Sequence, residues 1–284
     1  MNNNSFLMDD FIQRPSKSRF IEDDEDELEQ FVLAHSKSSE MMCKKLHLDS
    51  FLIPFKTGGS SWELFAFSND PNTLMKKTNY SLYKRSEPSR NKDRISKYLK
   101  NIKGELEISI ILKQNKEILE NVLVPIDIGY CSDDIKTFYI LFDKLENSLE
   151  DVLDNNFHLL NNTKFIKRIL IDVLIGLKSL QSLNIIHKDL ECRNILLTSN
   201  DYEKCRFVIS DFGISKVEDE LEPKKVFTDI AKLISNLANK YPDTKNILKE
   251  LDVNLDSYYS DLAKEMSRKY RNLEGLIDIL VIDT

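Results

Sequence analysis

The sequence predicts an α+β protein in which a small antiparallel sheet comes first and helices dominate the second half. Three features point there. Strand-type runs separated by turn signals fill residues 51–79 and recur between 122 and 143. An apolar period of about 3.6 residues runs through TKFIKRILIDVLIGLKSLQSLN, residues 163–184. Beyond it, the short apolar runs Ile195 to Leu197 and Phe207 to Ile209 flank the turn-rich Ser199-Asn200-Asp201 and read as a hairpin.

A chain of 284 residues, 41% hydrophobic and 31% charged, has the composition of a globular protein with ample core, in one large domain or two small ones. Its net charge of −7 and pI near 5.3 argue against a general nucleic-acid binder, whose affinity rests on Lys and Arg neutralising phosphates. Cys43, Cys131, Cys192 and Cys205 lie far apart with no CxxC pairing, which suggests neither a disulfide framework nor a zinc site. A reducing compartment such as the cytoplasm is the expectation. Asp9 and Asp10 stand where a secretory leader needs an apolar core, and no uncharged run is long enough to cross a bilayer.

In chain order, residues 1–20 are Asn- and Ser-rich and read as a poorly ordered tail. The acidic DDEDELEQ then leads into FVLAHSKSSEMMCKKL, where Leu28, Phe31, Val32 and His35 share one helical face. FLIPFKTGGSSWELFAFSNDPNTLMKKTN reads as a strand, a loop holding Gly58 and Gly59, a strand, a turn at Asn69 to Asn72, and a third strand. Alternation along that third strand lets only one of Lys76 and Lys77 face a given side. Residues 84–103 are rich in Lys and Arg, a density that permits an anionic ligand such as an inositol phosphate or a phosphoprotein. They lead into the helical pattern KGELEISIILKQNK. VLVPIDIGYC and KTFYILFDKLENSLEDVL follow as two strands and a connector into a helix. In the next helix Phe165, Ile169, Val173, Leu177 and Leu180 share a face, the signature of a core helix. VFTDIAKLISNLANKYP is helical as well, and the last 45 residues hold two or three more helices, with Leu276 to Ile282 the last to pack.

The chemistry concentrates between Asn184 and Lys216, NIIHKDLECRNILLTSNDYEKCRFVISDFGISK. Asp189, Asn194 five residues on, and Asp211 opening an Asp-Phe-Gly are spaced as phosphoryl transfer uses them. Such transfer needs a group to orient the attacking hydroxyl and oxygen ligands for Mg2+. Asp189 suits the first task, Asn194 and Asp211 the second. Together, His187-Lys188-Asp189-Leu190 with Asn194, and Asp211-Phe212-Gly213, resemble the catalytic loop and metal-binding triplet of the eukaryotic-type protein kinase superfamily.

The resemblance covers roughly residues 50–240 and implies a two-lobed fold: an extension over 1–47, in part disordered with a helix, an N-lobe over 48–143 built on a small antiparallel sheet, and a mostly helical, shortened C-lobe over 144–284. It implies ATP with Mg2+ or Mn2+ as cofactors. Gly58 and Gly59 would cover the nucleotide phosphates, with Gly59 as the central glycine and Thr57 and Trp62 in the flanking glycine positions. Lys76 would grip the α and β phosphates, with Lys77 as the alternative. Glu107 would pair with that lysine, and Glu105 is the alternative. Phe142 would back the adenine pocket, and Asp143 to Leu145 would form the hinge whose backbone bonds the adenine edge. Asp189 would position the acceptor hydroxyl, Asn194 and Asp211 would carry metal, and Asp229 would hold the catalytic loop from a central helix.

Several positions depart from the superfamily pattern. Only ISKVEDELEPKK separates the triplet from the next helix, no Ala-Pro-Glu follows, and no Ser, Thr or Tyr lies between Lys216 and Val226 to serve as a phosphorylation switch. Lys188 replaces the usual Arg, Glu191 stands where serine/threonine kinases generally have Lys, and Arg193 stands where tyrosine kinases carry Arg. The leading expectation is an ATP-dependent kinase of protein Ser/Thr or Tyr hydroxyls, acting on a protein substrate or one dedicated partner. A small-molecule kinase on the same fold and a pseudokinase scaffold are the alternatives. Compact kinases of this kind also occur among proteins that pathogens deliver into host cells, and this chain fits that description.

Overall fold

The computed structural model describes residues 30, 32, 52–56, 62–78, 92–131, 137–270 and 272–282. Five antiparallel strands form the first lobe in the order β1-β2-β3-β5-β4: β1 Leu52–Lys56, β2 Trp62–Phe67, β3 Asp70–Thr78, β4 Asp127–Cys131 and β5 Thr137–Asp143. The β2–β3 turn is the two residues Ser68 and Asn69, tighter than the expected span to Asn72. Asp70 fixes it by accepting hydrogen bonds from the Asn72 amide at 3.2 Å and the Thr73 hydroxyl at 2.7 Å.

Period-two alternation gives this sheet two different faces. Phe138 and Ile140 of β5 join Trp62, Ile128 and Tyr130 under helix α1, Lys92–Gln114, while Tyr139 and Leu141 join Phe67 and Met75 on the other face. Each such side chain, fully buried, contributes roughly 1.5–3 kcal/mol. α1 begins at Lys92, so the second half of the basic run forms its first turns instead of preceding it. Ile102, Leu106 and Ile110 point to the sheet, and Ile108 and Leu112 join the core of the second lobe, so α1 belongs to both. Gln30 and Val32 are helical, and Val32 is buried in the cluster beneath α1.

The second lobe is helical: α2 Leu149–Asn155, α3 Thr163–Ser182, α4 Pro223–Lys240, α5 Lys245–Leu248, α6 Tyr259–Tyr270 and α7 Leu273–Ile282. Asn162 caps α3 by accepting from the Phe165 amide, and Pro223 opens α4, where its missing N–H costs nothing. All five expected core positions of α3 are buried. At Gly176 the helix comes so close to its neighbours that a Cβ would lie 2.7 Å from the Asn121 carbonyl and 2.9 Å from Ile209. Two two-stranded pieces finish the cleft: β6 Ile185–Ile186 pairs with β9 Lys216–Val217, and β7 Ile195–Leu197 pairs with β8 Phe207–Ile209 as the predicted hairpin.

Candidate active site

The loop from His187 to Asn194 is held chiefly through its backbone. Asp229, buried on the first turns of α4, accepts from the His187 amide at 2.9 Å and the Lys188 amide at 2.8 Å. The buried His187 ring donates through Nε2 to the Ser210 carbonyl at 2.9 Å and accepts the Asp189 amide at Nδ1, 3.2 Å, which sets its tautomer. Phe212 packs edge-on against that ring, with centroids 5.2 Å apart. Lys188 and Asp211 both sit at positive φ, 68° and 64°, a region that costs non-glycine residues about 1–3 kcal/mol and persists only where surroundings impose it.

This frame brings the oxygen-bearing residues together. Asn194, buried, donates from Nδ2 to the Asp189 carbonyl at 2.8 Å and to Asp189 Oδ2 at 3.2 Å, leaving its own Oδ1 turned to other use. The Asn194 carbonyl accepts both the amide and the hydroxyl of Ser210, the residue before Asp211. Across the cleft, Lys76 donates to Glu105 and, at 3.1 Å, to Asp211 Oδ1. A side chain at Gly213 would stand 3.4 Å from Glu105 Oε2, so the triplet lies directly against this pair.

Glu105, not Glu107, is therefore the partner of Lys76. Two positions along an α-helix turn a side chain by about 200°, and Glu105 lies on the buried face of α1 while Glu107 is partly exposed on the opposite side. Strand alternation likewise separates the lysines. Lys76 faces Glu105 and the Trp62 ring, while Lys77 lies over Phe65 with 4.4 Å from ammonium to centroid. Among the described residues the buried Trp62 indole N–H has no hydrogen-bond partner.

Burial acts to lower Lys76, but the carboxylates of Glu105 and Asp211 outweigh it and hold the ammonium well above the usual lysine range. Burial pushes Glu105 up, with Lys76 opposing. Asp211 and Asp189 both end below the usual carboxylate range despite partial burial, the first because of Lys76 and the second because Lys232 and Arg193 donate to it. Lys232 reaches Asp189 Oδ1 at 2.8 Å and Glu191 at 3.0 Å; Arg193 reaches Asp189 Oδ2 at 3.2 Å and Glu191 at 2.8 Å. Lys188, the other cation of the loop, turns away towards Glu218, 3.8 Å distant. Lys232 carries no signal in the sequence, since it lies 43 residues beyond Asp189 in a helix that reads only as core.

At the junction of the lobes, the Lys144 amide donates to the Asn72 carbonyl at 2.6 Å and the Glu146 amide to the Leu197 carbonyl at 3.0 Å, so Leu145 lies between two tethered residues. Gly58 and Gly59, together with residues 84–91 of the basic stretch, lie outside the described residues.

The comparisons agree with this geometry. The sequence pattern of the protein tyrosine and serine/threonine kinase family matches residues 91–232, half of the chain, and the chain belongs to that family. It is 34% identical to mitogen-activated protein kinase 5 of Arabidopsis thaliana over 105 residues, which is 36% of this chain and 26% of that protein. It is 30% identical to extracellular signal-regulated kinase 7 of Drosophila melanogaster over 115 residues, 38% of this chain and 12% of that protein. With mitogen-activated protein kinase 13 of Oryza sativa subsp. indica it shares 30% over 94 residues, 33% of this chain and 17% of that protein. The chain thus spans about a quarter or less of the length of these relatives.

Proposed function

We propose that the protein is an ATP-dependent kinase that phosphorylates serine or threonine hydroxyls of a protein, with Mg2+ or Mn2+ as the metal. The observation that carries this is the convergence of Asp189, Asn194 and Asp211 on one cleft that Lys76 reaches from the other lobe. The residues fit the cofactor: Asn194 offers an amide oxygen that accepts no hydrogen bond among the described residues, and Asp211 a half-exposed carboxylate beside a charged lysine. When bound, the metal would neutralise phosphate charge and shape the leaving group.

The chain's own residues divide the rest. Lys76, oriented by Glu105, binds and aligns the phosphates. Leu145 and its neighbours offer backbone groups to the adenine edge. Asp189 orients the acceptor hydroxyl and takes its proton; with two cations donating to it, it is a weak base, so orientation is its larger contribution. Arg168 fastens α3 to the Tyr202 and Glu203 carbonyls in the loop of the β7–β8 hairpin. In this reading the lobes divide as 48–143 and 144–284 around that junction, with 1–47 as an extension. Cys192 and Cys205 are buried free thiols, with burial pushing Cys192 to about 12, which suits a reducing, cytoplasm-like setting. Among the described residues no helix is long and apolar enough to cross a membrane.

The test is purified protein with γ-labelled ATP and Mg2+ or Mn2+, wild type beside Asp211→Ala. Label transferred to protein by the first alone is the expected result. No transfer by wild type to itself or to any general protein acceptor would contradict the proposal.

A further inference from the structure

The catalytic loop places two carboxylates, Asp189 and Glu191, on the side where a negatively charged phosphoryl group must approach. Left alone they would repel it. The geometry resolves this with a residue from another element. Lys232 bridges the two carboxylates at 2.8 and 3.0 Å, and it stands three residues after Asp229, whose carboxylate holds the loop's own amides. The two residues lie about one helical turn apart, so α4 fixes the loop backbone and this ammonium in one register. Lys232 is 24% exposed, against 54% for Arg193, which makes it the more enclosed of the two cations. It also borders an open groove of about 460 Å3 that runs along α4 past Ser235, Asn236, Asn239 and Lys240 to Tyr259, so its ammonium is reachable from solvent.

We propose that Lys232 is the cation that faces the transferring phosphoryl group beside Asp189, and that Glu191 is its positioning residue. The inference rests on the phosphotransferase reading above. In the step, a bond forms between the acceptor oxygen and the γ-phosphorus of ATP as the bond from that phosphorus to the β,γ-bridging oxygen breaks. ADP departs with that electron pair, the hydroxyl proton passes to Asp189, and Lys232 stays protonated throughout, donating to the phosphoryl oxygens. Glu191, an acid beside the reaction, then serves to hold a cationic side chain from α4 over it.

Lys232→Met removes the ammonium and keeps most of the aliphatic stem. It is expected to lower kcat about 10²-fold, the cost of losing one preorganised charge at a transition state, while the KM for ATP stays within about threefold. Calorimetry gives a reading that does not need turnover: ADP with Mg2+ binds both proteins alike, and the gain in affinity on adding aluminium fluoride, a mimic of the transferring phosphoryl, is lost in Lys232→Met. Glu191→Lys on that background, which returns a cation to the loop, restores about a tenth or more of the wild-type rate. Should Lys232→Met fail to fold, Glu191→Gln is read instead, with kcat expected to fall about tenfold at unchanged KM.

With wild type active, a kcat that changes less than about threefold in Lys232→Met, or in Glu191→Gln where that variant stands in, would overturn the inference and leave the phosphotransferase reading standing. Loss of ADP binding together with rate, unrelieved by Glu191→Lys, would show that Lys232 only holds the loop in place and would also overturn it. A wild-type protein that transfers no phosphate would remove both.

Discussion

The two sides of the cleft are built on different principles. On the C-lobe side, Asp189, Asn194 and Asp211 are placed by backbone hydrogen bonds and a buried ring: Asp229 to two amides, His187 to Ser210, Ser210 to Asn194. On the N-lobe side, Lys76 is placed by side chains alone, through Glu105 and Asp211, across the gap between the lobes. A backbone frame loses its shape only when the fold fails, whereas a side-chain ion pair follows every shift of one lobe against the other. The catalytic loop should therefore respond to substitution as a stability element and the lysine side as an activity element.

Asp229→Ala gives the largest separation. It orphans two buried amides, each costing about 1–3 kcal/mol, so urea unfolding should show a loss of about 3–5 kcal/mol together with loss of transfer. A loss under about 1 kcal/mol would mean that the loop is held by something else. Glu105→Gln should keep the unfolding midpoint near wild type yet lower kcat/KM about 10²-fold through misplacement of Lys76. Glu107→Gln beside it should stay within about twofold, and the reverse order would restore the other register of α1. Gly176→Ala tests the packing behind the hairpin: a methyl 2.7 Å from the Asn121 carbonyl should cost about 1–3 kcal/mol in unfolding, with the KM for ATP unchanged. The smallest effect belongs to Glu218→Gln. Lys225 at 3.1 Å and Lys188 at 3.8 Å hold the Glu218 carboxyl below its usual range, yet the group is partly open to solvent, which screens both pairs, so neither the midpoint nor the rate should move measurably.

The same contrast explains what could be read from the sequence. The C-lobe constellation lies within Asp189 to Asp211, joined by a hairpin that turn residues announce, and its spacing is stiff because backbone sets it. Asp229 came from the resemblance, which places a buried aspartate at the start of the helix after the triplet. For the strand lysine, alternation said only that one of Lys76 and Lys77 faces the cleft; the resemblance favoured Lys76, and the geometry places Lys76 against Glu105 and Asp211. Glu105 was not legible, because α1 offers acids at 105 and 107 and the sequence does not say which face is buried. A helix start at Lys92, eleven residues earlier than the pattern at Lys103, adds turns whose basic residues obscured the apolar stripe. Lys232 was invisible for a different reason: its role exists only because Glu191 is an acid, and no local period links a loop residue to a helix 41 positions away.

The central claim is that Asn194 and Asp211 of one lobe and Lys76 of the other enclose a single metal-bound nucleotide. It is tested most directly by calorimetric titration of ATP into wild type and Asp211→Asn, each with Mg2+ and with excess chelator. The account predicts that Mg2+ tightens ATP binding to wild type and that this dependence on metal disappears in Asp211→Asn. Equal tightening by Mg2+ in both proteins would contradict it.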